Sequence, residues 1–456
     1  MKEPSAPAAS VIIAAYNRAT VLGYAIRSVL QQDFADWELL VIGDGCTDDS
    51  EAVVRSFGDP RIVWENLPVN SGGQSAPNNR GVEMARGRYV FFLAQDDLFF
   101  ADHLSHSIAQ LEATGADMLW SPAMVIWSLR DRTGPPKPWS DCIVLDGVTR
   151  DGDFQPEIFM TATSWALRRS VHNAVGAWVH ADEAYVSPSQ EWIFRAWRKG
   201  IDLRFDSHVS VMCVHAGPRS LAYARSLHPE HERAWGWISN RPGVSRELLT
   251  ATAVYQASEL FRRGVFDAWP QSRWLPIIRF CAPLLARVGL HPLGLQRQLA
   301  GEPKGQFVRD HRKFTSEVPT IGRDGIPITT REGDAFLGFG WHSPEPEGRW
   351  TCASAAEVIF RRSRGGRAYL KVVAYTLRPG ETARFSVNGV LVAERRMDAV
   401  ETVLVSLPDD EDARTNLVIE TDPPTTPEAL GQSDDGRYLG LRVLSIGLVE
   451  TGEEDR

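Results

Sequence analysis

The chain has 456 residues, of which 43% are hydrophobic and 23% charged, a profile typical of soluble globular proteins with two or three domains. Its formal net charge of −9 argues against a nucleic-acid-binding protein. No stretch is long and apolar enough to span a bilayer, and residues 1–10 lack the apolar core of a signal peptide. The five cysteines have no metal-ligand spacing, so we expect reduced thiols in a cytoplasmic protein.

Strand and helix patterns alternate over the first hundred residues, and a clear helical pattern returns later. Short apolar runs rich in β-branched and aromatic residues predict the strands, and amphipathic or capped segments predict the helices. The alternation indicates a mostly parallel sheet with helices on both faces. The predicted strands are 10–17, 37–43, 61–66 and 89–94, and the predicted helices are 20–32, 47–57, 75–87 and, with Ser189 as its N-cap, 187–200.

The second half of the chain has two different sequence patterns, one helical and one of short strands. Residues 245–264 have the pattern of an amphipathic helix, and residues 274–295 are apolar with arginines at intervals and prolines that divide them. This last stretch is either a packed helical linker or a basic segment that lies on a membrane surface. Short alternating runs after residue 330 predict an antiparallel sandwich. The expected domains are an α/β domain at 1–240, a helical connector at 241–330 and a β-sandwich at 331–456.

Polar residues follow each of the first four predicted strands. Three motifs that are common in α/β proteins are missing from the sequence. There is no G-x-G-x-x-G after the first strand, no G-x-x-x-x-G-K-[ST] and no G-x-S-x-G. The carboxyl ends of parallel strands meet at one edge of an open α/β sheet, and ligands bind there. The residues expected at this edge are Tyr16, Asn17 and Arg18, then Asp44, then the stretch from Asn70 to Asn79, and finally Asp96 and Asp97.

Asp96 and Asp97 are adjacent carboxylates at the end of an apolar strand. Two such charges repel each other unless a cation or a proton intervenes. Hard oxygen ligands of this kind hold Mg²⁺ or Mn²⁺, and the metal can bridge a diphosphate. The alternative is that Asp97 caps the helix that follows. Because Asp44 can accept hydrogen bonds from a base or ribose, the pattern indicates a nucleotide-diphosphate site without a P-loop.

Five segments in a fixed order carry a family resemblance over about residues 8–240. They are AAYNR, VIGDGCTDD, NSGGQSAPNNRG, GRYVFFLAQDD and SQEWIFRAW, and together they resemble family 2 of the inverting glycosyltransferases. The resemblance implies the GT-A fold, a Rossmann-like sheet that binds nucleotide-diphospho-sugars, and a metal-dependent, hexosyltransferase-like enzyme that uses Mn²⁺ or Mg²⁺. It also implies donor binding by Ala15, Tyr16, Arg18, Asp44, Asn79 and Asp96, metal binding by Asp96, Asp97 and His215, and Glu191 as the catalytic base.

Three positions depart from the family pattern. Ala94 stands where the first Asp of the D-x-D motif is usual, so the metal site has fewer acids. Gly43 stands where the first of two acids follows the second strand, which leaves base recognition to Asp44. Asn78 stands where an Arg is common, which removes one phosphate contact.

The implied chemistry assigns the proton transfer to Glu191. An acceptor hydroxyl is a poor nucleophile at neutral pH and needs a general base as it attacks the anomeric carbon from the back. A metal stabilises the charge on the leaving nucleoside diphosphate. The residues alone also allow an i,i+4 ion pair between Glu191 and Arg195 on an exposed face, and a core or surface role for His215.

The carboxyl-terminal part resembles a β-sandwich module appended to some bacterial polysaccharide glycosyltransferases, through GFGWHSPEPEGRWTCASAA and SDDGRYLGLRV. There, Trp341, Arg349 and Trp350 form either a sugar-binding surface or a plug of the core. We expect sugar transfer from a nucleotide-diphosphate donor to a hydroxyl of a growing polysaccharide or lipid-linked glycan. The expected location is the cytoplasm or the inner face of the membrane, with contact through 274–295. The alternative is a catalytically silent sugar-binding or scaffold protein of a glycan assembly complex, which Ala94 favours and Glu191 disfavours.

Overall fold

The computed structural model describes residues 6–128, 142–149, 152–214, 221, 223–239, 250–251, 253–254, 281–282, 284–306, 309, 317–362, 366–410 and 414–450. The chain folds as two compact units. The first unit contains the described parts of Met1–Leu129, Gly134–Ala216 and Pro229–His311, and the second contains those of Gly217–His228 and Arg312–Arg456. The second unit therefore includes a segment, 217–228, that lies between two parts of the first unit in the chain.

The first unit is built from strands and helices that alternate along the chain. Its strands are β1 (Ala9–Ala15), β2 (Trp37–Gly43), β3 (Ile62–Asn66), β4 (Tyr89–Ala94), β5 (Asp97–Phe99), β6 (Met118–Trp120), β7 (Ala123–Ser128), β8 (Cys142–Asp146), β9 (Trp165–Arg168), β10 (Leu203–Phe205) and β11 (Val211–Val214). Its described helices are α1 (Ala19–Leu30), α2 (Ser50–Ser56), α3 (Ser75–Met84), α4 (His103–Thr114), α5 (Arg169–Val175), α6 (Pro188–Arg198), α7 (Pro229–Ser239) and α8 (Pro292–Leu299), with short 3₁₀ helices at Ala162–Ser164 and Ala181–Glu183.

The main sheet has seven strands in the order β10-β6-β9-β4-β1-β2-β3. Strand β4 lies at its centre, the neighbouring β1 pairs in parallel with β4 and β2, and β9 runs antiparallel between β4 and β6. A smaller sheet has the order β5-β11-β7-β8. The predicted mostly parallel α/β sheet is therefore confirmed, and the ends of β1, β2 and β4 meet at one edge.

Apolar residues of the central strands are buried on both faces of the main sheet. On one face Val11 and Ile13 pack with residues of α1, and on the other face Ile12 packs with a layer of aromatic residues. Burial on both faces explains why these strands are continuous apolar runs rather than alternating ones. The aromatic layer contains three mutually stacked tryptophans with ring centroids 5.7 to 5.8 Å apart, Trp165, Trp178 and Trp192.

Each of the four predicted helices differs from the observed one at one or both ends, and two of these differences have a clear physical cause. The helix predicted at 75–87 ends at Met84, because Ala85 adopts an extended backbone with ψ of 127°. Gly87 then passes so close to β1 that a Cβ atom on it would lie 2.6 Å from the backbone of Ala9. The helix predicted at 187–200 begins after Ser187, whose side chain accepts a hydrogen bond from the Gln190 amide, so Ser189 is not its N-cap.

Asp97 does not cap a helix, because it is the first residue of β5. The following helix, α4, begins at His103 with Asp102 at its N-cap position. The interpretation of Asp97 as a helix cap is therefore wrong, and another role has to account for a carboxylate there.

The second unit is an antiparallel sandwich, as predicted. Its sheets have the orders β12-β14-β19-β16-β17 and β13-β20-β15-β18, and apolar side chains from both sheets form one core. Among the described strand pairs of this unit, the short pairing of β12 with β14 is parallel and the others are antiparallel. The strands are β12 (Thr320–Ile321), β13 (Arg349–Trp350), β14 (Ala355–Arg362), β15 (Ala368–Thr376), β16 (Glu381–Val387), β17 (Val390–Met397), β18 (Glu401–Ser406), β19 (Arg414–Glu420) and β20 (Leu441–Glu450).

Arg349 and Trp350 belong to the core of this sandwich. They are 1% and 6% exposed, and an Arg349 Nη2 lies 2.7 Å from Asp334. The interpretation as a core plug therefore fits them better than a sugar-binding surface.

Several predicted features fall on residues that the structure does not describe. His215 lies outside the described residues, as do most of the helix predicted at 245–264 and the first part of 274–295. Among the residues that are described, none of the helices has both the length and the apolar composition needed to cross a membrane.

Candidate active site

The loops after β1 and β4 are tied together by one side-chain amide. Gln95 accepts a hydrogen bond from the Tyr16 backbone amide at 2.8 Å, and its Nε2 donates to the Tyr16 carbonyl at 3.3 Å. Gln95 is only 7% exposed, so this pairing is made away from water. A residue between Ala94 and the two acids thus fixes the spacing of two strand ends, a role that the sequence analysis did not foresee.

Asp96 is the accessible member of the acid pair, and it faces an arginine. Its Oδ2 lies 2.7 Å from Arg18 Nη1. The Arg18 side chain is 4% exposed, whereas that of Asp96 is 36% exposed. A buried guanidinium therefore compensates the Asp96 charge from the protein side and leaves part of the carboxylate open to solvent.

Asp97 is the buried member of the pair and has different partners. Its Oδ2 accepts hydrogen bonds from Thr163 Oγ1 at 2.6 Å and from Cys213 Sγ at 3.3 Å. Burial and the neighbouring carboxylate raise the pKa of the Cys213 thiol well above its ordinary value, so the thiol keeps its proton as a donor. Asp97 thus joins β5 to β11 and to the turn before β9.

Asp44 shapes the loop that follows β3. One carboxylate oxygen accepts from the Ser71 amide at 2.9 Å, and the other accepts from the Gly72 amide at 3.2 Å. Asp44 is 4% exposed. Both oxygens therefore hold the protein backbone, and any contact with a nucleotide base would use the lone pairs that remain.

Packing explains the glycine that stands before Asp44. A Cβ atom at Gly43 would lie 2.4 Å from Asn66 Oδ1 and 2.7 Å from the Trp64 ring. An aspartate at this position would require the side chains of Asn66 and Trp64 to move, so the glycine at position 43 fits the packing of β2 on β3.

Two asparagines hold neighbouring backbone segments in place. Asn17 has a left-handed backbone, with φ of 39°, and its Oδ1 accepts from the Thr47 amide at 2.7 Å. Asn79 donates to the Trp178 carbonyl at 3.0 Å and accepts from the Trp178 amide at 2.8 Å. Asn79 therefore holds the backbone of the segment before α6 in position. Its contact with the nucleotide-sugar stays a prediction.

Glu191 lies in the first turn of α6 and forms the i,i+4 ion pair with Arg195 that its sequence position allows. Arg195 donates from Nε to Oε1 at 3.0 Å and from Nη2 to Oε2 at 2.9 Å. Both side chains are 25% exposed, so the pair is half-buried rather than on an open face. Arg195 also donates to the carbonyls of Val175 and Ala177, which fixes the guanidinium in its place.

Trp192, next to Glu191, is fully buried in the tryptophan stack and donates to the Gly176 carbonyl at 2.8 Å. It therefore belongs to the core beneath α6 and does not form a wall of an acceptor pocket. The exposed acids that precede α6 are Asp182 and Glu183, and Asp182 lies 3.1 Å from Arg309.

Comparison with known proteins identifies the class of this site. Residues 10–176 match the family model described as glycosyl transferase family 2. The glucosyltransferase WfgD of Escherichia coli is 35% identical over 102 residues, which are 22% of this chain and 40% of that protein. The succinoglycan biosynthesis protein ExoO of Rhizobium meliloti is 35% identical over 112 residues, which are 25% of this chain and 32% of that protein. The chain thus spans well under half the length of these relatives.

Solved structures give weaker similarities. S. aureus TarS in complex with UDP-GlcNAc matches with 15% identity and a TM-score of 0.38, over 64% of this chain and 92% of that one. The mannosyltransferase PcManGT from Pyrobaculum calidifontis, in complex with GDP-Man and Mn²⁺, matches with 15% identity and a TM-score of 0.36, over 69% of this chain and 90% of that one.

The α/β sheet with polar loops at its carboxyl edge is a nucleotide-sugar transferase fold of the GT-A kind. The match of residues 10–176 to the family 2 model agrees with the resemblance that the five sequence segments carry.

The different surroundings of the two acids predict different outcomes for their removal. Asp97→Ala leaves Thr163 and Cys213 without their acceptor, and a buried donor without a partner costs about 1–3 kcal/mol. Asp96→Asn keeps an oxygen that can accept from the buried Arg18 guanidinium, so we expect it to change the free energy of unfolding less. Urea denaturation of both variants checks this, and equal losses of stability would contradict the assignment of Asp97 as a structural acid.

Proposed function

We propose that this chain transfers a sugar from a nucleotide-diphosphate donor to a hydroxyl of a growing polysaccharide or lipid-linked glycan, with inversion of the anomeric centre. The family 2 match over residues 10–176 carries this proposal. Two relatives support the acceptor class, since WfgD and a Campylobacter jejuni glucosyltransferase are both named for undecaprenol-linked substrates.

The proposed donor site lies along the edge formed by the loops after β1, β2 and β4. Tyr16 and Ala15 border the nucleotide, Asp44 lies on the side of the base, and Arg18 with Asp96 lies on the side of the ribose and diphosphate. Gln95 supports this arrangement by fixing the Tyr16 backbone relative to Asp96. Arg18 adds a permanent positive charge, which suits a diphosphate.

The donor set of the site suits Mn²⁺ or Mg²⁺ at Asp96. A part-exposed carboxylate is the hard oxygen ligand that these ions prefer, and His215 is the second proposed ligand. Asp97 has one oxygen engaged by two donors, so we assign it to holding the Asp96 loop in place. When bound, the metal would neutralise charge on the leaving diphosphate.

Glu191 is the proposed general base. It accepts two hydrogen bonds from Arg195, which fix the rotamer of its side chain. Each carboxylate oxygen has a second lone pair, so the ion pair leaves room for the proton of an acceptor hydroxyl. The start of α6 adds a favourable potential for the negative charge.

Two observations favour a second candidate, a sugar-binding or scaffold protein without turnover. Ala94 removes one acid from the D-x-D region, and Arg195 engages both oxygens of Glu191. In that case the donor site would bind nucleotide and Glu191 would serve the stability of α6 alone.

The proposed location is the inner face of the membrane, with contact through the described part of 274–295. The helical turns that include 284–287 place Ala282 and Ala286 inward, at 0% and 1% exposure. They place Leu284 and Val288 outward, at 65% and 64% exposure. Large apolar side chains outside and alanines inside are the reverse of an ordinary surface helix.

Charge supports the same location. Between residues 268 and 301 the chain has four arginines, including Arg287, and no acidic residue, although the whole chain has a net charge of −9. A basic segment with exposed apolar side chains suits a bilayer that contains anionic lipids.

The base assignment predicts a large effect of Glu191→Gln on catalysis. Losing a general base costs about a hundredfold to ten-thousandfold in rate, so kcat should fall by that order while the KM for the donor stays the same. Steady-state kinetics with a nucleotide-sugar donor measures both constants. The control is Glu183→Gln, which changes an exposed acid shortly before α6. Equal small losses in the two variants would favour the scaffold candidate.

The membrane assignment predicts that the protein floats with vesicles containing phosphatidylglycerol but much less with neutral phosphatidylcholine vesicles. The double variant Leu284→Ser with Val288→Ser should lose this flotation. A matched double variant, Val390→Ser with Leu391→Ser, changes two apolar side chains of β17 that are 64% and 53% exposed and should float like the wild type. Flotation that is unchanged in both double variants would contradict the assignment.

A further inference from the structure

The segment that leads into α6 is joined to the loop after β3 by one histidine side chain. His180 Nε2 lies 2.9 Å from the Ser71 carbonyl oxygen, and Nδ1 lies 3.3 Å from the Asp182 amide nitrogen. A carbonyl can only accept a hydrogen bond and a backbone amide can only donate one, so Nε2 donates to Ser71 and Nδ1 accepts from Asp182. The ring therefore caps the 3₁₀ helix Ala181–Glu183 with one nitrogen, and with the other it holds a loop that lies 109 residues earlier in the chain.

Ser71 is held from two directions. Its amide donates to Asp44, just after β2, and its carbonyl accepts from His180. The two chain segments also lie against each other, since Ala181 is 2% exposed and a Cβ atom on Gly73 would lie 3.8 Å from the Ala181 Cβ. One residue of the loop therefore connects the proposed base side of the donor site with the segment before α6.

Residues 178–187 form this segment, and they determine where Glu191 lies. The last residue, Ser187, caps α6, and its carbonyl accepts from the Glu191 amide at 3.0 Å. The first residue, Trp178, makes two backbone hydrogen bonds with Asn79 in α3. His180 adds a second link to the elements that follow β3, and this link lies closer in the chain to Glu191.

Contacts on the other side hold the same segment to α8 and to the residues after it. Arg297 Nη1 donates to the Tyr185 carbonyl at 3.0 Å, and the Gly305 amide donates to the Ala184 carbonyl at 2.8 Å. The segment thus bridges α8 and the loop after β3. If the link from His180 to the loop is lost, the contacts with α8 remain, and the segment can shift relative to the donor edge.

We propose that His180 is a positioning residue: through its hydrogen bond to Ser71 it sets the position of the segment before α6, and hence of Glu191, relative to the loop that Asp44 holds. The inference rests on the proposed function, because it takes Asp44 to lie on the side of the nucleotide base and Glu191 to be the general base. It gives a reason for a side chain that is 40% exposed and yet makes two hydrogen bonds to the backbone.

Asparagine and glutamine at position 180 separate the two hydrogen bonds. His180→Asn keeps a good cap, whose oxygen accepts from the Asp182 amide, but its side chain is too short to reach Ser71. His180→Gln is a poor cap, but it places an amide nitrogen at about the distance of Nε2, where it can donate to Ser71. A purely structural cap would therefore favour the asparagine, whereas the proposed link favours the glutamine.

His106→Asn is the matched control. His106 belongs to α4 in the same unit, and its Nε2 lies 2.8 Å from Asp206, so the same substitution removes a hydrogen bond of similar length between other elements. The readouts in the full-length chain are steady-state kinetics with a nucleotide-sugar donor and hydrogen exchange of peptides covering 68–74 and 178–187.

We expect His180→Asn to speed exchange in both peptides and to lower kcat by at least about tenfold, since misplacing a catalytic group by about 1 Å can cost on the order of a hundredfold. His180→Gln should restore most of the wild-type kcat and the slow exchange at 68–74. His106→Asn should change neither readout. If His180→Asn keeps the wild-type kcat and exchange, or if His180→Gln falls as far as His180→Asn, the proposal is wrong.

The remaining outcomes are also decisive. A rise of the donor KM in His180→Asn with an unchanged kcat would mean that His180 serves the donor loop alone, and it would overturn the link to Glu191. If His180→Asn does not fold, His180→Ser takes its place with the same expectations, because serine is also a good cap that cannot reach Ser71. If the wild type transfers no sugar from any nucleotide donor, the proposed function fails, and the exchange comparison still decides whether His180 holds the segment.

Discussion

The site depends on how the fold separates two neighbouring carboxylates. Asp96 and Asp97 are adjacent in sequence, yet Asp96 faces a buried guanidinium and solvent while Asp97 faces a hydroxyl and a thiol in the interior. Asp96 thus faces an opposite charge, whereas Asp97 faces two hydrogen-bond donors. The buried acid thereby fixes the loop, and the accessible acid is left for a ligand.

Each of the other loops at this edge is also held by one buried or half-buried polar side chain. Gln95 joins the ends of β1 and β4, and Asp44 gathers the loop after β3. Asn79 holds the segment before α6, which carries Glu191. The donor edge is therefore preorganised by contacts that are distant in sequence.

Local sequence patterns predicted the bounds of strands whose burial is set by their own apolar residues. Strands 37–43 and 89–94 begin and end as predicted, because burial on both faces produces an unbroken apolar run. Contacts between residues distant in sequence could not be predicted from local patterns. The two donors to Asp97 lie 66 and 116 residues away from it, and Ser226, which donates to Glu357, lies 131 residues away. The cap of α6 is a missed local signal, since Pro188 at the first helical position points to Ser187.

The central claim is that Asp96 and Arg18 form the diphosphate side of a nucleotide-sugar site. Calorimetric titration with UDP- and GDP-sugars in the presence of Mn²⁺ tests it most directly, in the wild type and in Asp96→Asn. The account predicts that the wild type binds one of these donors, that removing Mn²⁺ weakens binding, and that Asp96→Asn weakens binding while the fold is kept. Equal donor affinity in the wild type and in folded Asp96→Asn would contradict it.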